Sequence, residues 1–207
     1  FASQIGLRLA STVILPRLLA PEIYGVFAIV LVYLYIFEMF SDLGIRSLIL
    51  TKEGNVENSF LRTCWTVSIL RGVLIAVIAA LVALVIGLLQ GMGSFAPDNP
   101  YSAPALPWAL AALGATVIIT SLQSPAIFMY ERNMAFGRVT VLTIGMNVFA
   151  LIVTIILAYA LRSVWALVLG NVARAIVMTS LSFVLFEGPR MGLRLHPGYL
   201  KLVIDRG

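Results

Sequence analysis

Charge, cysteine and histidine are all scarce in this 207-residue chain: 11% of its residues are charged, and it holds one Cys and one His. With Cys64 alone there is no internal disulfide, and with His196 alone there is no ligand set for a structural zinc. A serine or cysteine nucleophile needs a histidine partner, yet His196 stands in the C-terminal tail beside Pro197. No Walker A or dinucleotide-binding glycine pattern occurs, because Gly91-Met-Gly93 lacks the strand and helix that such a loop joins. An Asp-x-Asp pair of the kind used in metal-dependent sugar transfer is missing too. The chain is therefore expected to need no cofactor and not to be an enzyme.

What it has in excess is apolar surface: 61% of residues are hydrophobic, and the mean hydropathy is +1.03. Soluble domains are about 45–50% apolar and about 25% charged, so this chain cannot clothe itself against water. Disorder is excluded by the same numbers, since it requires low hydrophobicity and high charge. The solvent implied is a lipid bilayer. The 14 Lys and Arg give a net charge of +5, but they are scattered and form no basic run with interleaved aromatics. Nucleic acid is not the expected partner.

Runs of about 18 or more apolar residues mark membrane spans. A partial first run covers Ala2 to Leu15 and ends in Arg17-Leu-Leu-Ala-Pro-Glu-Ile-Tyr-Gly25. Further runs cover Tyr24 to Phe40, Phe60 to Gln90, Trp108 to Met129, Val139 to Ala160 and Val164 to Phe186. None alternates with period two, so barrel strands are ruled out. The expected fold is an all-α, polytopic transmembrane bundle of about six spans over 1–186, with a basic tail over 187–207. Thr51 to Asn58 is a polar connector, Gly91 to Pro107 an extramembrane loop, and Pro125 is expected to kink the end of the fourth span. The chain opens at Phe1 within helical sequence and stops abruptly after Lys201-Leu-Val-Ile-Asp-Arg-Gly207, so it reads as a piece of a longer protein.

The basic residues suggest an orientation. Arg46, Lys52 and Arg62 flank one connector, Arg132 and Arg138 another, and Arg190, Arg194, Lys201 and Arg206 the tail. The opposite side holds only Arg17 and Arg162. The N-terminus and the tail are thus expected in the cytoplasm.

A charge in the middle of a span costs about 2.5–3.5 kcal/mol on insertion scales and so tends to face a cavity. Arg8 lies about 13 Å along a helix from Arg17, with Gln4 and Ser11 on the same face. Arg174 lies about 18 Å from Arg162, with Asn171 on the same side. Arg71 precedes an unbroken apolar run and either snorkels to the interface or faces a cavity. Thr140, Thr143, Asn147 and Thr154 share one face of the fifth run, and Thr116, Thr120 and Gln123 one face of the fourth. Such stripes usually pack helices together, with Asn147 equally suited to a ligand. Glu38 either pairs with an arginine or titrates to couple proton movement. Three arginines against one carboxylate would make a shared cavity cationic, and a guanidinium fork suits phosphate or pyrophosphate.

The segment Arg17-Leu-Leu-Ala-Pro-Glu-Ile-Tyr-Gly25, with Phe40-Ser-Asp-Leu-Gly-Ile45 and Glu131-Arg-Asn-Met-Ala-Phe136, resembles the polysaccharide biosynthesis, or Wzx-type oligosaccharide flippase, family of the multidrug/oligosaccharidyl-lipid/polysaccharide exporter superfamily. Pro16 and Ile23 depart from its usual pattern. The resemblance implies one lobe of a two-lobed, MATE-like alternating-access transporter in a bacterial inner membrane. It further implies an undecaprenyl-pyrophosphate-linked oligosaccharide as substrate, with polysaccharide polymerase and glycosyltransferases as possible neighbours. Arg8 and Arg174 would then bind phosphate or acidic sugar, while Gln4, Asn147 and Asn171 bind sugar hydroxyls. Two other readings stand beside it: a cation-coupled multidrug exporter, which would favour intramembrane carboxylates, and a non-transporting scaffold for polysaccharide assembly, in which intramembrane charges pair off.

Overall fold

The computed structural model describes residues 21–42, 45–51, 56–97, 99–132 and 136–186, together with 192, 196, 198 and 199. The helices are α1 (Pro21–Asp42), α2 (Ile45–Thr51), α3 (Asn58–Gly91), α4 (Ala105–Ser121), α5 (Ala126–Arg132), α6 (Phe136–Leu161) and α7 (Trp165–Leu185). A single 3-10 turn occupies Pro100–Ser102, and no strand occurs among the described residues. The all-α class expected from the run lengths is what the chain adopts.

Among the described residues, three helices are long and apolar enough to cross a membrane: α3, α6 from Val139 and α7. The pair α4 and α5 makes a fourth crossing if it is one bent span. Helix α1 holds a shorter apolar stretch, Ala28–Phe37, and the partial first run lies outside the described residues. Among the described residues, then, three to four of the about six expected spans are present as helices long and apolar enough to cross.

Helix α3, with 34 residues, is about 51 Å long at 1.5 Å per residue and overshoots a hydrocarbon core of about 30 Å. Its two faces divide cleanly. Gly72, Ile75, Ala79, Ala83 and Ile86 are buried, while Leu74, Val77, Ile78, Leu81 and Leu88 are exposed. A helix that is apolar on both faces belongs in lipid.

Helix α4 is the hub. It packs on α3, α7 and α1, and α6 packs in turn on α7. Leu106, Ala109, Leu110 and Leu113 of α4 form one core with Val26 and Val30 of α1, Ala83 and Ile86 of α3, and Val168 of α7. Since lipid tails are as apolar as leucine, helices associate here by close contact between small residues. At Gly114 an added Cβ would come within 2.7 Å of the Ala79 Cβ, so the backbones of α3 and α4 meet there. Gly72 against Ser121 and Gly170 against Thr154 serve the α3–α4 and α6–α7 contacts in the same way.

The segment after α3 is shorter and better held than a loop to Pro107 would be, because α4 already begins at Ala105. The Gln90 amide donates to the carbonyls of Tyr101 and Ala103, at 2.7 and 3.0 Å, and Asn99 caps the 3-10 turn by accepting from the Tyr101 N–H. At the other end of α3, His196 and Tyr199 of the tail fold back onto its first turns. The His196 N–H donates to the Thr63 hydroxyl at 3.2 Å, Tyr199 packs edge-on against Phe60, and the Tyr199 hydroxyl donates to Glu57 at 2.9 Å.

Three outcomes are expected, two at glycines and one at the tail. Gly114→Val is expected to destabilise the bundle by about 1–3 kcal/mol through overpacking, read as thermal unfolding in detergent. Gly145→Ala, where nothing lies within 4 Å of the added Cβ, should be neutral or slightly stabilising. The hydrogen bond to Glu57 raises the Tyr199 pKa above its ordinary 10.0. The contribution of that bond is complete below the ordinary tyrosine range and is lost as pH climbs through the raised value. An absorbance titration should show Tyr199 ionising late, and Glu57→Gln should bring it back toward normal.

Candidate functional site

The fourth apolar run is not one helix with a kinked end, as its hydropathy suggested. It breaks over residues 122–125, and α4 and α5 meet at 64°. Proline explains where: Pro125 has no N–H to offer and its ring would strike the carbonyl four residues earlier, which is that of Ser121, the last residue of α4. Ser124 then starts a new helix, its hydroxyl accepting from the Ala126 N–H at 3.3 Å in the manner of an N-cap followed by proline.

A break in an apolar helix at membrane depth, whether in a bent span or a re-entrant segment, frees backbone groups that lipid cannot satisfy, so neighbouring helices must supply partners. Here they do so. The Trp65 indole of α3 donates to the Leu122 carbonyl at 3.1 Å, and the Thr179 hydroxyl of α7 donates to the Ile119 carbonyl at 2.9 Å. The Ser182 hydroxyl accepts from the Ser124 N–H at 3.0 Å and donates to the Thr179 carbonyl at 2.7 Å.

Beside the break lies a cavity of about 310 Å³ bounded by α2, α3, α4, α5 and α7. Arg174 and Asn171 reach it from α7, Arg46 from α2, Ser68 from α3, and Thr116, Thr120, Ser121 and Gln123 from α4 and its end. Leu113, Val117, Phe128 and Met178 provide apolar wall. The described lining includes two arginines and no carboxylate. Several of its polar groups are already engaged. The Asn171 amide donates to the Leu167 carbonyl at 3.0 Å, and the Thr116 and Thr120 hydroxyls donate to carbonyls of their own helix. The Nε of Arg174 is shielded from solvent. Chemically, the arrangement suits an anion: two guanidiniums in a partly apolar recess, with amide and hydroxyl groups around them.

Of the residues expected from sequence to form a site, Arg174 and Asn171 do meet in this cavity. Asn147 on α6 and Arg71 on α3 are half-buried and are not among its lining residues. Arg8 and Gln4 lie outside the described residues, as does the side chain of Glu38. The stripe Thr116, Thr120 and Gln123, whose spacing alone suggests helix packing, is cavity wall. By sequence, Arg46 falls in a connector and serves only to mark orientation. In the structure it sits on α2 and lines the cavity, with its Nε donating to Glu131 Oε2 at 2.9 Å. The signal that could have found it was the pairing of two conspicuous segments, one leading into Arg46 and one starting at Glu131.

This is an integral membrane protein whose described helices enclose a recess lined by two arginines, beside the bend between α4 and α5. The family model for polysaccharide biosynthesis proteins matches residues 14–197, and the chain belongs to that family. Among curated proteins and solved structures there is no match to it.

If neighbours hold the break as described, their removal should register as lost stability. Thr179→Val is expected to cost about 0.6 kcal/mol, the average for hydrogen bonds between membrane helices, and no more than about 1.7 kcal/mol. Ser182→Ala should cost more, about 1–3 kcal/mol, because it orphans the buried Ser124 N–H. Thermal unfolding in detergent, combined in a double-mutant cycle, checks both.

Proposed function

We propose that the protein is a transporter that moves a lipid-linked oligosaccharide, a polysaccharide precursor, across the bacterial inner membrane by alternating access. One observation carries this reading: Arg174, Arg46 and Asn171 converge on a recess beside a broken span. Discontinuous helices are a recurring way for carriers to build a substrate site within the membrane. Membership in a polysaccharide biosynthesis family supports a polysaccharide intermediate as the cargo, and the two arginines support an anionic group as the part contacted. At about 310 Å³ the recess is at the small end of ligand sites, which run to about 1,000 Å³. It suits a pyrophosphate headgroup or one acidic sugar rather than a whole oligosaccharide. The remaining sugars would then extend beyond it.

The multidrug reading fares less well, since a cationic drug calls for carboxylates and the described lining has none. A scaffold would not need an arginine facing a cavity. In the proposed orientation the tail and the α2–α5 end face the cytoplasm, where a lipid-linked saccharide is assembled. Polysaccharide polymerase and glycosyltransferases are the proposed neighbours, and no enzymatic step is assigned to this chain.

Arg174→Ala in the intact protein tests the reading. Loss of a charged hydrogen bond of about 1.5–3 kcal/mol is expected to lower surface polysaccharide about 10-fold or more at equal protein level, in a strain lacking the native gene. Arg174→Lys should restore part of it. Full export by Arg174→Ala would overturn the assignment.

A further inference from the structure

Arg46 and Glu131 are 85 positions apart in sequence and meet in one ion pair. Arg46 is the second residue of α2, and Glu131 is the next to last of α5. Their surroundings differ. The Arg46 side chain is 52% exposed and lines the cavity, whereas that of Glu131 is 12% exposed and is not part of the lining. The carboxylate is therefore not part of the cavity wall, and it engages the Nε edge of the guanidinium that is. A guanidinium has five N–H donors, so a contact through Nε leaves the planar Nη end able to fork onto an anion.

The pair is not needed merely to hold α2 against α5. Ile45, Leu48 and Ile49 of α2 already share an apolar cluster with Phe128 and Met129 of α5. Its charge has a different use. Two arginines in one recess would hold an anion strongly, and a carrier has to let its cargo go. A carboxylate bound to one of them offsets part of the attraction through short-range Coulomb interaction, which is only weakly screened where the side chain is mostly buried.

Resting on the anionic-cargo reading above, we propose that Arg46 is a second anion-binding residue of the cavity and that Glu131 is its affinity-setting partner, tuning the hold on the anion down to one that permits release. The anion concerned is phosphate-class, matched by the two guanidiniums of Arg46 and Arg174.

The experiment measures binding of inorganic pyrophosphate to the purified full-length protein by calorimetry, at fixed ionic strength. Glu131→Gln is expected to tighten binding about 10-fold. The substitution is isosteric and keeps an acceptor for the Arg46 Nε, and a gain in affinity cannot come from misfolding. Arg46→Gln is expected to weaken binding about 10-fold. The double exchange of Arg46→Glu with Glu131→Arg retains an ion pair between α2 and α5 but turns a carboxylate toward the cavity. It should bind at least as weakly as Arg46→Gln. Wild-type affinity in the double exchange would overturn the proposal, because the pair would then be only a clasp. Unchanged or weaker binding by Glu131→Gln would overturn it as well. Arg174→Gln separates the two levels. If it weakens binding while Arg46 and Glu131 variants bind normally, the inference fails and the anionic recess stands. If it leaves binding intact, the recess itself is misassigned.

Discussion

A hydrogen bond that water cannot make has to be made by protein, and in this bundle the constraint is sharpest at residues 122–125. Pro125 forbids a continuous helix there, and lipid offers nothing to the carbonyls and N–H groups that the break releases. Trp65 from α3, Thr179 and Ser182 from α7 supply what is missing. These three side chains fix which helices must flank α4 at that level, and so they tie the arrangement of the bundle to the existence of the break.

The cavity is a consequence of the same geometry. Along α4 the contacts are tight, with Gly114 against Ala79 and Gly72 against Ser121, and small residues leave no room between helices. At the break the chain turns by 64°, and α5 leaves the line of α4. Space opens where the two axes part. Polar side chains that would be costly against lipid line that space: Ser68, Thr120, Gln123 and Asn171. The break thus creates both a need for polar partners and a place in which polar residues are tolerated.

How much of this was legible in the sequence depends on the distance over which each feature is encoded. Helix identity was legible because apolar run length is a local property: α3, α6 and α7 fall within a few residues of the runs that announced them. Arg174 and Asn171 were legible because a charge deep in such a run is conspicuous wherever it later points. The depth of the break was not, since one proline marks a boundary without saying that Trp65 and Thr179 will stabilise a full reorientation. Thr116, Thr120 and Gln123 show why stripes mislead: a row of small polar residues on one face looks the same whether it meets another helix or a recess. Arg46 was missed for a related reason. Its place after a glycine-ended span looked like a connector, and only the fold brings Glu131 to it across 85 positions.

The scarcity of charge gives these few residues their weight. In a chain with 11% charged residues, a carboxylate such as Glu131, 12% exposed and bonded to an arginine of the cavity wall, alters the potential of that cavity more than a surface charge would in water. In the proposed reading, Arg174 on α7 supplies attraction for the anion and the Arg46–Glu131 pair a weaker share of it. A binding protein would gain from two unopposed arginines. For the proposed carrier, one partly neutralised arginine is the better arrangement, because the same contact would have to form on one side of the membrane and break on the other.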